Sequence, residues 1–158
     1  VAHAVAFASY ENICYVLSRL TEENKRELMA MGTVWNHSQY ALAYLLFPCS
    51  YVVLRDREPV CIFGAQRIGL DSWQAWMLET DEFDGLSWRA AKRGFKQVME
   101  RLLSAGAETV KVPVLKINAD AARFCESLGA SRGDEDELFI SYLWKRVDLA
   151  RSLGCQLT

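Results

Sequence analysis

The chain has 158 residues, a formal net charge of −2, 51% hydrophobic residues and 24% charged ones. That length and balance describe a globular domain able to bury a core, and they exclude a disordered chain. The near-neutral charge gives no ground for bulk nucleic-acid binding, and no apolar run is long enough to span a membrane or patterned as a signal peptide. The cysteines (Cys14, Cys49, Cys61, Cys125, Cys155) are odd in number, widely spaced and without a Cys-x-x-Cys pair. They predict reduced thiols in a cytosolic setting, not a disulfide frame or a zinc site. His3 and His37 stand alone and make no metal site.

Val1 to Ala8 is short and apolar, a first strand or a loose arm. Ser9 caps a predicted helix from Tyr10 to Leu20, with Ile13, Val16, Leu17 and Leu20 on one face. Thr21 opens a second helix with Glu22, Glu23 and Asn24 in its first turn, Leu28, Met29 and Met31 apolar, and Gly32 as its stop. Asn36 and Ser38 are caps for a third helix, which Pro48 ends. Tyr51 to Leu54 and Val60 to Ile68 read as strands about a charged hairpin turn, with Gly64 as a bulge position. Trp73 to Glu79 is rich enough in apolar and aromatic residues for a central strand.

Thr80 to Gly85 is a loop carrying Asp81, Glu82 and Asp84 directly after Glu79. The longest helix follows, Leu86 to Ala105, with Ser87 as its expected N-cap. Trp88, Ala91, Phe95, Val98 and Leu102 make its apolar stripe, opposite Arg89, Lys92, Arg93, Lys96 and Arg101. Val110, Val112 and Val114 alternate as a half-buried strand. Pro113 cannot donate to a ladder, so it suits a strand that loses pairing with one neighbour, at a sheet edge or elsewhere. Asn118 caps a short helix with Ala121, Phe124, Cys125 and Leu128 as its apolar stripe, and Gly129 supplies the left-handed stop. Arg132 to Glu137 is a charged turn, and Leu138 to Lys145 a last strand. Val147 to Thr158 is a short helix or an arm.

Helices, a hairpin-rich sheet, a long helix, strand, helix and hairpin in that order predict an α+β fold, an α/β sandwich whose mixed, mostly antiparallel central sheet is flanked by helices. We expect one domain over residues 1–158: a helical part to 48, a sheet core with two helices over 49–145, and a tail from 146.

The run Asn-x-x-Ala-x-x-Phe-x-x-x-Leu-Gly-Ala from Asn118 to Ala130 resembles the late strand–helix motif of the GCN5-related N-acetyltransferases. The likeness extends back at the level of pattern to about Tyr51. Trp76 to Asp81, then Ala91, Lys92, Arg93 and Phe95, then Arg123, Phe124, Gly129 and Ala130, resemble the acetyltransferase-like proteins of short-tailed phages, among them their small internal virion protein.

The resemblance implies acetyl-CoA as cofactor, a pyrophosphate held at a helix N-terminus, a base for the amine proton and a donor for the leaving thiolate. Carried onto this chain, Gly85, Ser87, Arg89, Lys92 and Arg93 are the anion-binding candidates, and Asn118 is placed to bond the pantetheine arm. Glu79 is the candidate base. Cys125 stands where the family has its tyrosine, and Tyr142 is a substitute donor. In such folds two central strands splay apart, and Pro113 is compatible with that. Two departures stand out. Carboxylates crowd the phosphate loop, where like charges about 4 Å apart repel by about 1 kcal/mol even in water, and Cys125 is a weak donor. The expected function is therefore a phage-encoded protein on this scaffold, degenerate in catalysis and acting through binding to a host or virion protein. The alternative is an active acetyl-CoA-dependent N-acetyltransferase for a host protein or small amine. The resemblance implies the host cytoplasm or the virion as its location, with no metal and no nucleic-acid partner.

Overall fold

A computed structural model describes residues 2–30 and 49–154. The expected third helix, with Trp35, Asn36, His37 and Ser38, lies outside the described residues, as does the end of the tail. In chain order the elements are β1 (His3–Phe7), α1 (Tyr10–Leu17), α2 (Glu22–Ala30), β2 (Cys49–Arg55), β3 (Glu58–Arg67) and β4 (Ser72–Glu79). There follow α3 (Gly85–Ser104), β5 (Thr109–Leu115), α4 (Ala119–Ser127), β6 (Ser131–Glu135), β7 (Phe139–Lys145) and α5 (Arg146–Ser152). The strands form one seven-stranded sheet in the order β1-β2-β3-β4-β5-β7-β6, mostly antiparallel, with β4 and β5 parallel. This is the expected mixed sheet with helices.

The chain divides into two compact units: Val1–Ala65 with Trp76–Gly94, and Gln66–Ala75 with Phe95–Thr158. In the first unit, the strand expected within Val1 to Ala8 is β1, His3–Phe7, pairing Ala4 with Leu54 and Val5 with Val53. α1 is closed by a capping box between Ser9 and Asn12, which satisfies two of the amides left open at a helix start. It ends at Leu17, and Leu20 leaves the helix to bridge Thr80. Ile13, Val16, Leu17, Leu20 and Leu28 pack with Val52, Ile62 and Leu78 as one buried cluster. Met29, expected on the apolar face, is 72% exposed.

Side chains alternate across a strand, so Phe63 leaves β3 opposite Ile62. It meets α3 at Gly94, where an added Cβ would stand 2.2 Å from Phe63 Cζ and 3.1 Å from Val5 Cγ1. Phe63 is fully buried and has no free space to turn into. We expect Gly94→Ala to destabilise by about 1–2 kcal/mol, overpacking outweighing alanine's helix preference of about 1 kcal/mol. Urea unfolding checks this; a gain in stability would show that the helix and β3 part without strain.

The β2–β3 register shifts between Val53 and Leu54, so the bulge lies at Val60, not at Gly64, which pairs normally with Ser50. The hairpin between them turns on Asp56 and Arg57, both with positive φ, and the Asp56 carboxylate is fixed by the Ala2 N–H at 2.8 Å.

In the second unit β5 pairs with β4 only through Thr109, Val110 and Lys111, and with β7 along its whole length. β5 is thus internal, and the edge-strand alternative for Pro113 falls. Pro113 sits two residues past the last β4 partner, where no ladder on that side asks for its N–H. Arg132 to Glu135, expected as a turn, belongs to β6, an exposed edge strand whose charges discourage further pairing. Asn118 accepts the Ala121 N–H, and Gly129 (φ +88°) ends α4 as anticipated. Trp144 is buried, with its Nε1–H donated to the Leu128 carbonyl at 2.9 Å, an acceptor that also takes the Ser152 hydroxyl.

Candidate functional site

The last residues of β4 are gripped by the start of α2. The Glu79 carbonyl accepts the Thr21 N–H at 3.0 Å, and the Glu79 N–H donates to Asn24 Oδ1 at 2.7 Å. Thr21, Asn24 and Thr80 are buried polar residues, and the backbone N–H of Thr80 donates to the Val60 carbonyl at 2.9 Å. Glu79 is half-buried, with Oε2 shielded from solvent. The backbone of this strand end is fixed, and its carboxylate is partly desolvated.

Glu27, which the sequence did not single out, lies on α2 within the influence of that charge. Its carboxyl is raised from 4.5 to about 7, first by burial and then by the Glu79 charge. Cys61 on β3 feels the same charge. Burial and Glu79 push its thiol well up, so it stays protonated and inert. Only the i, i+3 spacing of Asn24 and Glu27 hinted at this in the sequence, and Glu27 there looks like any surface glutamate.

The loop after β4 departs from expectation in its cap. Asp84, not Ser87, is the N-cap of α3: its Oδ1 accepts both the Ser87 N–H and the Ser87 hydroxyl at 2.9 Å. Aspartate outranks serine here because a full negative charge meets the positive end of the helix. The Ser87 N–H and then its hydroxyl hold the Asp84 carboxyl below the usual range, aided by Arg55 and His3. Arg55 Nε lies 3.5 Å from Asp84 Oδ2 and its NH1 3.4 Å from Glu82 Oε2; His3 Nε2 lies 3.2 Å from Ser87 Oγ and 3.6 Å from Asp84 Oδ1. Arg55 thus pairs with Glu82 and Asp84, and His3 lies against Asp84 and Ser87, contacts that neither residue showed in sequence. Ser87 is fully buried and committed to Asp84.

Gly85 opens the helix in free space, with nothing within 4 Å of where a Cβ would stand. The Gly85 and Leu86 N–H groups belong to the first turn, whose amides have no partner within the helix. Such amides suit an anion, and the Asp84 carboxylate stands at the same helix start. Arg89 and Arg93 are exposed and Lys92 half-exposed. Lys92 and Arg93 begin about 10 Å along the axis from Gly85, at 1.5 Å per residue, so they line the helix flank and not its mouth.

Asn118, Cys125 and Tyr142 lie in the second unit. The Asn118 side chain is spent on its capping bond. Cys125 is buried on the apolar stripe of α4. Tyr142 is buried on β7; burial first, then the Glu126 charge, raises its phenol, whose O–H reaches Glu126 Oε1 at 3.4 Å. It stays neutral, as a proton donor must. Among the described residues no group of side chains could hold a metal ion, and no helix is long and apolar enough to cross a membrane.

No family model and no curated protein matches the sequence. Solved structures do match in fold. The PaiA N-acetyltransferase of Thermoplasma acidophilum, solved with coenzyme A, superposes with a TM-score of 0.67 at 11% identity over 92% of this chain and 99% of its own. YncA of Salmonella typhimurium, a putative acetyltransferase solved with acetyl-CoA, gives 0.67 at 13% identity over 92% and 95%. An aminoglycoside 6'-acetyltransferase of type Ii gives 0.65 at 15% identity over 90% and 97%. At such identities the likeness establishes architecture alone, and the conclusion is that this chain has the fold of the GCN5-related N-acetyltransferases.

Proposed function

We propose that the chain is an acetyl-CoA-dependent N-acyltransferase acting on a primary amine. The observation that carries this is the end of β4, where Asn24 and Thr21 fix the backbone of Glu79 and the Glu79 charge acts on a second carboxyl, Glu27. An amine is protonated at neutral pH and must lose a proton before it attacks a thioester, and a carboxyl near pH 7 takes it efficiently. The α3 mouth at Gly85 and Leu86 supports a pyrophosphate seat. Acetyl-CoA, when bound, supplies the activated acyl group; this chain's part is to hold the anion, orient the amine and accept its proton.

A second reading is favoured by a different observation. The Asp84 carboxylate already takes a backbone amide at the α3 mouth, with Arg55 and His3 drawn to it. A scaffold whose own carboxylate fills that position would act by binding, and a host or virion protein of a phage is the partner this reading takes.

A thermal melt with acetyl-CoA and with free CoA separates the two. At about 100 times the dissociation constant, ligand adds about 2.7 kcal/mol, a clear rise in Tm for a chain of this size. The enzyme reading expects that rise in the unaltered protein. Asp84→Ser keeps a capping oxygen while removing the charge, and its rise should be larger. No rise in either protein at millimolar ligand sinks the enzyme reading; a rise confined to Asp84→Ser supports the second.

A further inference from the structure

The sheet ends in two edge strands, β1 and β6, and they are built differently. β6 carries Arg132, Asp134 and Glu135, all exposed, and its register with β7 shifts between Arg132 and Glu135. Charge and an irregular register keep an edge from pairing with another chain. β1 has neither device. His3, Ala4, Val5, Ala6 and Phe7 include no acid, lysine, arginine or proline, and each pairs with β2 without a shift. The His3 ring is turned to Ser87 Oγ and Asp84 Oδ1 at the start of α3.

Bonds at the two ends of β1 fix the direction of its backbone groups. The Ala2 carbonyl accepts the Asp56 N–H at 2.8 Å, and the Ala8 N–H donates to the Ser50 carbonyl at 3.1 Å. These groups alternate in direction along a strand, so Ala4 and Ala6 also bond towards β2, and the N–H and C=O of His3 and Val5 point to the open side. Among the described residues no strand pairs with that side. Val5 turns towards Gly94 of α3, while Ala4 and Ala6 are small and exposed on the opposite face.

We propose that the open edge of β1 pairs antiparallel with β1 of a second copy of this chain, about a twofold axis at Ala4. A twofold contact uses the same patch on both chains, so the patch must complement itself. In this register His3 of each copy stands opposite Val5 of the other, and each such pair exchanges both of its N–H···O=C bonds. Every backbone group that His3 and Val5 turn outward is then satisfied. Ala4 faces Ala4 as a non-hydrogen-bonded pair, where Cα atoms approach to about 4.5 Å, a spacing that suits small side chains. One short strand makes a small contact, so the dimer depends on concentration. The inference does not depend on acyl transfer.

Sedimentation equilibrium of the full chain, from micromolar to millimolar, tests this. The unaltered protein should pass from the mass of one chain to that of two. Ala4 is exposed, so Ala4→Lys and Ala4→Glu should keep the circular dichroism and urea midpoint of the unaltered protein. Each alone should stay monomeric, because like charges meet at the axis. An equimolar mixture should dimerise about 10-fold or more tightly than either variant alone. Ala4→Cys reads the same axis without a charge: mild oxidation should link two chains through position 4, a bond that Ala6→Cys should not form. An unaltered protein that stays monomeric throughout overturns the proposal and leaves the edge to a strand of another protein. A dimer that survives in Ala4→Lys places the interface elsewhere, and a mixture that stays monomeric, or a position 4 that does not cross-link, shows that Ala4 does not face Ala4; each of these results overturns it.

Discussion

Glu27→Gln should be more stable than the unaltered protein at pH 8 and close to it at pH 5. The folded chain holds the Glu27 proton up to about pH 7, whereas the unfolded chain releases it near 4.5. Between those values the native state binds more protons, so stability falls as pH rises. Stability from this group is full below about 4.5 and lost as pH passes through about 7. A shift of this size corresponds to at most about 3 kcal/mol, less what partial solvent access screens away. Glutamine carries no charge to bury, so its stability curve should stay flat across the window, ending several degrees higher in Tm at pH 8. Glu79→Gln removes only the smaller of the two causes, so its midpoint should fall but stay above 4.5. The carboxyls of Asp56, Asp84, Glu135 and Asp136 are all held low, and their contributions are lost only in acid, below this window. Urea unfolding at half-unit pH steps reads the effect; parallel curves for the two proteins would refute it.

Trp144→Ala should be the most damaging of the single changes considered, at about 3–5 kcal/mol. The indole is 2% exposed near the end of β7, where Trp144 pairs with Val110, and its removal leaves a cavity. The hydrogen bond to Leu128 is the lesser part of the loss, because that carbonyl keeps the Ser152 hydroxyl. Trp144→Phe therefore separates volume from bonding: it should lose only about 1–2 kcal/mol. Equal losses for Phe and Ala would mean that the Nε1–H bond, not the packing, holds this corner. Equilibrium urea unfolding measures both.

Much of this fold was legible because it is written locally. Periods of two and 3.6 residues placed β4, β5, β7 and the stripes of α1 and α3, and short polar residues at Ser9 and Asn118 marked helix starts through bonds made within three residues. Gly129 announced its own turn, since a positive φ there suits a residue without a Cβ. The misreadings also have local causes. Ser87 and Asp84 are both good caps, and the choice went to the carboxylate because Arg55 and His3, remote in sequence, stabilise its charge. Arg132 to Glu135 looked like a turn because edge strands use charge to stay unpaired. The Val60 bulge has no sequence mark, since it arises from the register that two strands settle on together.

By itself the sequence determined the element order, the mixed sheet with its helices, and Glu79 as a carboxyl at the end of a central strand. Tertiary structure alone decided what surrounds that carboxyl. Asn24 had to reach across from α2 to fix the Glu79 backbone, and that approach left Glu27 half-buried and under the Glu79 charge. The same holds at the mouth of α3, where Arg55 and His3 arrive from β2 and β1 to settle on Asp84. Charge and desolvation act through space over a few ångströms, whereas sequence pattern reports only neighbours along the chain.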